Sequence, residues 1–310
     1  YNSVKRVDWD EFINVDQTLA VRSAVKSDFF PHSHYVELKT KDAIVDQFNA
    51  RQGSRPDVDL DEPDLSVNIH IYNNKLTISL DSSGDSLHKR GYRLSSLAPL
   101  NEVLASGLIR LSEWNKQDKF IDPMCGSGTL LAEAIMQKLN IPPQNITRNF
   151  AFKNWKNYDE MAWNEVVNEA MENQVTSDSF MVYGSDINEK AIRSAEYNLA
   201  EAGLARYAKL EQKDFHDYEP TENAHLIINP PYDKRLKEDD IVLFYKEIGD
   251  TLKQKFTNSQ AWIISANIQA LKRLGLRPSK KLTVYNGPLE SKFYKFEMYA
   301  GSKKAKYKND

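Results

Sequence analysis

The sequence predicts an α/β protein: a doubly wound, mostly parallel sheet closed by an antiparallel hairpin, preceded by a small α+β unit. Three observations carry this expectation. From about residue 118 onward, short apolar β-type runs alternate with helical stretches. Strands buried on both faces and separated by helices belong to parallel sheets. A glycine-containing loop, Asp122-Pro123-Met124-Cys125-Gly126-Ser127-Gly128-Thr129, follows the first of these strands and opens a helix, as in doubly wound folds that bind nucleotides. In the first hundred residues, the alternating runs Leu65–Tyr72 and Lys75–Leu80 flank Asn73-Asn74, a hairpin signal.

The elements follow in order. Residues 1–93 form the α+β unit, with a helix expected over Asp16–Ser27 on the apolar positions Leu19, Ala20 and Val25. A strand, Tyr35–Leu38, a helix, Lys41–Ala50, and the hairpin complete it. Residues 94–117 are a linker whose helix, Pro99–Trp114, would place Leu100, Val103, Leu104, Leu108 and Leu111 on one face. Residues 118–310 hold the sheet. Its strands are Lys119–Asp122, Phe180–Asp186, Ala208–Leu210, His225–Asn229 and Ala261–Ser265, with helices at Leu130–Leu139 and Asn188–Leu199 among them. Two closing strands, Lys281–Tyr285 and Lys292–Tyr299, surround Asn286-Gly287-Pro288 and would run antiparallel to each other. There is no internal repeat and no low-complexity segment.

Composition bounds the function. The chain has 310 residues, 41% apolar and 27% charged, and no apolar run long enough for a membrane helix. Tyr1–Asp10 is polar, unlike a signal peptide, and the missing initial Met reads as a processed product or an excised fragment. A single cysteine, Cys125, fits a reducing compartment, hence the cytoplasm. Asn145-Ile146-Thr147 matches a glycosylation pattern by chance. The six histidines do not cluster, so no metal is expected. The net charge is -3, but residues 280–310 carry eight Lys against three acids. A basic knot, His88-Lys89-Arg90-Gly91-Tyr92-Arg93, stands apart from the acids Asp57, Asp59, Asp61, Glu62 and Asp64. Local fields, not the total, decide where a polyanion docks; the plain alternative for the tail is a solvated terminus.

Four anchors converge on the carboxyl edge of the sheet. In the glycine loop, Gly126 and Gly128 let the backbone turn tightly and approach a ligand closely. A G-x-G alone can be a mere turn, but Asp122 before it disfavours phosphate and suits a cationic or amino-bearing ligand. Asp186, ending the next strand, can take ribose hydroxyls, or serve only as a helix cap. Asp214 and Phe215, after the third strand, can accept from an adenine amine and cover its ring, or be a loop acid and a core aromatic. Asn229-Pro230-Pro231-Tyr232 is the most specific. Two prolines remove two N–H donors. The Asn229 amide oxygen and the Pro230 carbonyl can then accept from an exocyclic amine, while Tyr232 offers a stacking face worth ~1–3 kcal/mol.

At these residues the chain resembles the bacterial THUMP-domain class I RNA methyltransferases, and within them the N-terminal half of the 23S rRNA guanine-N2 enzymes. The likeness covers nearly the whole chain. It rests on Leu87–Arg93, on Ala98-Pro99-Leu100-Asn101-Glu102-Val103-Leu104-Ala105, on the glycine loop, on Asn229–Tyr232, and on the insert around Asn149-Phe150-Ala151-Phe152-Lys153-Asn154-Trp155. The resemblance implies a Rossmann-like class I methyltransferase sheet and a THUMP RNA-binding unit at 1–93 lacking its first strands. It implies S-adenosylmethionine held by Asp122, Pro123, Cys125, Gly126, Gly128, Thr129, Asp186, Asp214, Phe215 and Asn229. Asn229, Pro230 and Tyr232 would be catalytic, and Lys89, Arg90 and Arg93 would meet RNA phosphates.

The expected reaction is in-line methyl transfer to an exocyclic amine, most specifically guanine N2 of large-subunit rRNA, with the base drawn out of its stack. Positioning would supply much of the rate, and neither metal nor covalent enzyme intermediate is required. Three rivals use the same residues: N6-adenine methylation of DNA or RNA, methylation of a protein glutamine amide, and a non-catalytic RNA-binding assembly factor.

Overall fold

A computed structural model describes residues 1–30, 32–93, 100–143, 148–231 and 238–300. Tyr232, Ala98-Pro99, the sequon at Asn145–Thr147 and the lysines of the final ten residues lie outside the described residues. The chain forms two compact units. One joins Tyr1–Leu87 to Ile146–Glu169; the other joins His88–Asn145 to Ala170–Asp310. This differs from the sequence division at 93/94 and 117/118 in two ways: the basic knot falls with the second unit, and the aromatic insert falls with the first.

The first unit holds a four-stranded sheet in the order β2 (Asp57–Val58), β1 (Thr18–Lys26), β3 (Leu65–Tyr72), β4 (Lys75–Leu80). β1 runs parallel to both neighbours, and β3–β4 is the expected antiparallel hairpin, with Tyr72 opposite Lys75 and Asn73 left-handed at φ 52°. Helix α1 (Ser33–Gln52) lays Val36, Thr40, Ala43, Ile44 and Phe48 on the core, a helical spacing. The expected helix over Asp16–Ser27 is therefore a strand, and the expected strand Tyr35–Leu38 is the first turn of α1. The insert completes this unit. Trp155 meets Phe12 edge-on at 6.4 Å, Gln17 donates to the Asn154 carbonyl at 2.7 Å, and Lys156 pairs with Asp10 at 3.0 Å.

The second unit is built on a seven-stranded sheet in the order β10 (Lys280–Asn286), β11 (Leu289–Glu297), β9 (Gln260–Ser265), β8 (Ala224–Ile228), β5 (Lys119–Asp122), β6 (Val182–Asp186), β7 (Ala208–Gln212). Strands β5 to β9 are mutually parallel and β11 is antiparallel to both its neighbours. The order turns between β5 and β8, whose carboxyl ends therefore flank the crevice where such sheets take ligands. Alternate residues serve opposite faces. Ile227 packs with α3 (Thr129–Lys138) and α5 (Glu189–Glu201), while Leu226 and Ile228 pack with α6 (Glu238–Lys255). Helix α2 (Glu102–Leu111) is shorter than the predicted linker helix and is capped by Asn101, which accepts from the Leu104 N–H at 3.1 Å. It buries Ala105, Leu108 and Ile109, whereas Val103 and Leu111, expected on the apolar face, are exposed.

Candidate active site

The glycine loop joins β5 to α3 as predicted, and the structure shows what shapes it. Gly126 and Gly128 have φ of 52° and 81°, backbone that a Cβ would strain; at Gly128 it would also approach Ala195 Cβ at 3.1 Å. The Cys125 N–H donates to the Ser185 carbonyl at 2.8 Å, tying the loop to β6. Ser185 Oγ donates to the Pro123 carbonyl at 3.2 Å and lies 2.8 Å from the Tyr218 hydroxyl. The loop is thus held from below by hydrogen bonds as well as turned by its glycines.

The three strand-end acids stand at one cavity of about 670 Å³, within the usual size of ligand sites. Asp122 is buried, and that burial pushes its carboxyl up to about 8; the Met124 N–H, donating at 3.3 Å, opposes the shift, and the Asp186 charge adds to it. Asp186 accepts from the Gly126 N–H at 3.0 Å and the Asn188 N–H at 2.9 Å. It is not the cap of α5: Asn188 is, accepting from the Lys190 N–H at 3.0 Å. Asp214 caps a single turn by accepting from the His216 N–H at 2.9 Å. Phe215 lines the cavity yet is only 3% exposed and stacks on Phe256 at 5.7 Å, so it is also a core aromatic.

Asn229 follows β8 directly. Its Oδ1 is buried and has no hydrogen-bond partner among the described residues, an arrangement that costs free energy unless another donor is supplied. Pro230 is buried, Pro231 exposed, and neither carries an N–H. Asn229 and Pro231 line the same cavity as the acids. The residues fit a nucleoside with an amino-bearing arm: acids for hydroxyls and an ammonium, an aromatic wall, and an unused acceptor where an amine would enter. Lys213, which opens the third anchor, lines the cavity too, and sequence reasoning missed Lys190 and Phe244, which also line it. Lys190 follows an anchoring strand end closely enough to have been found; Phe244, inside α6, carries no sequence signal.

Both arginines of the basic knot have buried carboxylate partners within the protein. Arg90 is ion-paired with Glu133 at 3.0 Å, with side chains 6% and 1% exposed. Arg93 is paired with Glu102 at 3.1 Å, with side chains 13% and 3% exposed. Guanidinium groups so committed cannot turn to phosphates without leaving buried carboxylates uncompensated. Lys89 is exposed. Among the described residues, no group of acids, histidines and cysteine could hold a metal ion, and no helix is long and apolar enough to cross a membrane.

Comparison with known proteins gives these features a family. The RMKL-like methyltransferase domain matches residues 90–295, and the THUMP domain matches residues 1–81. A protein of Synechocystis sp. provisionally named RNA methyltransferase slr0064 is 39% identical over 302 residues, which is 96% of this chain and 79% of that one. The ribosomal RNA large subunit methyltransferase K/L of Allochromatium vinosum is 36% identical over 96% of this chain, but the match spans only 42% of that longer protein. Among solved structures, SMU.472, provisionally described as a methyltransferase and complexed with SAH, superposes with a TM-score of 0.87 at 29% identity. It covers 97% of this chain and 80% of that one. A methylase of provisional function from Clostridium difficile 630 gives 0.88 at 30% identity, with the same coverage. With the methyltransferase model matching more than half of its length and three strand-end acids lining one cavity, the chain belongs to the RMKL-like methyltransferase family, with a THUMP domain preceding the methyltransferase domain.

Proposed function

We propose that this chain transfers a methyl group from S-adenosylmethionine to an exocyclic amine of RNA in the cytoplasm, and that guanine N2 of large-subunit rRNA is the amine. The observation that carries the reading is the buried Asn229 Oδ1, without a hydrogen-bond partner among the described residues, beside three carboxylates lining one cavity.

When bound, S-adenosylmethionine supplies an electrophilic sulfonium methyl. The glycine loop from Asp122 to Thr129 would hold the amino-acid arm through Asp122, Pro123, Cys125, Gly126, Gly128 and Thr129. Asp186 accepts from the ribose hydroxyls, and Asp214 and Phe215 bound the adenine. Asn229 Oδ1 and the Pro230 carbonyl accept the two amine hydrogens. This would direct the nitrogen lone pair to the electrophile, and the backbone at Pro230 and Pro231 offers no competing N–H. Tyr232, assigned from sequence alone, stacks on the extruded base. The THUMP domain and the rRNA-methylating names of the longer relatives support RNA as substrate.

The test is single-turnover methyl transfer on large-subunit rRNA, with the product nucleoside identified by mass. Asn229→Ala is expected to lower the rate by about a hundredfold, as loss of one transition-state contact commonly does, while cofactor affinity stays within about threefold. A parental rate in Asn229→Ala refutes the amine-directing role. N6-methyladenosine as the product, or methylation of DNA alone, replaces the guanine reading.

A further inference from the structure

The segment that carries the sequence's basic knot lies along the helix that opens from the cofactor loop. Arg90 addresses Glu133 with two nitrogens, Nε to Oε1 at 3.0 Å and Nη2 to Oε2 at 3.3 Å. Arg93 Nη2 donates to Thr129 Oγ1 at 2.6 Å and to the Leu100 carbonyl at 2.8 Å. Arg93 Nε lies 3.1 Å from Glu102 Oε1, a charge contact without hydrogen-bond alignment. Thr129 and Glu133 are one turn apart on α3, so the two arginines grip the same face of that helix. Thr129 directly follows Gly128, and both Thr129 and Leu100 line the cavity.

Burying a guanidinium beside a carboxylate is a poor way to gain stability, since well-packed apolar residues commonly do as well or better. What apolar residues cannot give is direction. A planar fork fixes the orientation of each acceptor it reaches, and here the acceptors are the first residue of the cofactor helix and a backbone carbonyl on the cavity wall. We propose that Arg93 is a positioning residue for the cofactor loop: it acts through Thr129 and Leu100, is held by the Glu102 carboxylate, and is supported one turn along α3 by the Arg90–Glu133 pair. The inference rests on the reading that this cavity takes S-adenosylmethionine.

The experiment is a double-mutant cycle. Affinity for S-adenosylhomocysteine is measured by calorimetry for the parental chain, Arg93→Ala, Thr129→Val and the double variant, beside thermal unfolding of each. Parental binding tests the cofactor reading by itself; its absence sinks that reading first. Given parental binding, Arg93→Ala is expected to weaken affinity by about tenfold, the size of one charge-assisted hydrogen bond. In the Thr129→Val background the same change should cost no more than about threefold, because both substitutions remove the same link. At saturating cofactor the methyl-transfer rate should stay within about threefold. Arg93→Lys keeps the charge beside Glu102 and loses the fork, so it separates folding from positioning: it should fold and still bind about tenfold more weakly. Parental affinity in a folded Arg93→Lys, or fully additive effects of Arg93→Ala and Thr129→Val, would overturn the proposal.

Discussion

Asp122 shows how much the site depends on where one side chain sits. Asp122 is buried at the end of its strand, and that burial moves its carboxyl from 3.8 to about 8. Between those values the folded, unliganded protein keeps a proton that the unfolded chain has released. This group's contribution to stability therefore falls as pH rises from about 4 to about 8 and is level above. A ligand ammonium beside it favours the carboxylate, so binding should expel a proton below pH 8, and affinity should rise between pH 6 and pH 8. Calorimetry at pH 7 in two buffers of different ionisation enthalpy counts that proton. Asp122→Asn should bind more weakly, release none, and lose the stability slope; a parental protein that releases no proton on binding would contradict the assignment. The strand-end positions of Asp122 and Asn229 were legible because each stands within a distinctive motif. The partners of Arg90 and Arg93 were not legible, because sequence displays a charge but not what it pairs with. Glu133 and Glu102 reach them only through the fold.

At the scale of elements, the continuous apolar strands β5, β8 and β9 were legible because burial on both faces leaves one pattern. β1 was misread for the same reason inverted. Leu19, Ala20 and Val21 are all buried, and Ala, Leu, Arg and Lys in that stretch imitate a helix. Tyr35–Leu38 alternates like a strand, yet only Val36 packs inward while Tyr35 and Leu38 stay exposed on the first turn of α1. Close helix packing is also invisible in sequence. A Cβ on Gly249 of α6 would fall 1.8 Å from the Leu274 carbonyl oxygen, a backbone atom that cannot step aside. Gly249→Ala should therefore destabilise the second unit by about 2–3 kcal/mol. Gly107, inside α2, has open space around it, so Gly107→Ala should stabilise by about 0.5–1 kcal/mol through helix propensity alone. Urea unfolding measures both. Unchanged or raised stability in Gly249→Ala would refute the packing described for α6, and destabilisation by Gly107→Ala would refute the open space described in α2.

For the molecule as a whole, the two compact units do not follow chain order. Residues 146–169 separate α3 from β6 in sequence but belong with 1–87, where Trp155 and Lys156 meet Phe12 and Asp10. Sequence reading placed this insert in the methyltransferase half because neighbours in a chain are usually neighbours in space. The aromatic residues that make it foreign to a Rossmann-like sheet were the available signal. A ligand that binds only the folded state stabilises the unit that holds it, by ~2.7 kcal/mol at a hundredfold excess over Kd. With S-adenosylhomocysteine at that excess, amides of β5, α3 and β6 that exchange through opening of the second unit should slow by about a hundredfold. Amides of α1 and β3 should not. The decisive ones are Phe152, Trp155 and Lys156, each a hydrogen-bonded N–H within the first unit. Although they lie between two protected elements of the chain, their exchange should follow α1 and stay unchanged. Hydrogen exchange read by mass spectrometry with and without ligand makes the comparison, and slowing at these three in step with α3 would show that the insert folds with the cofactor unit instead.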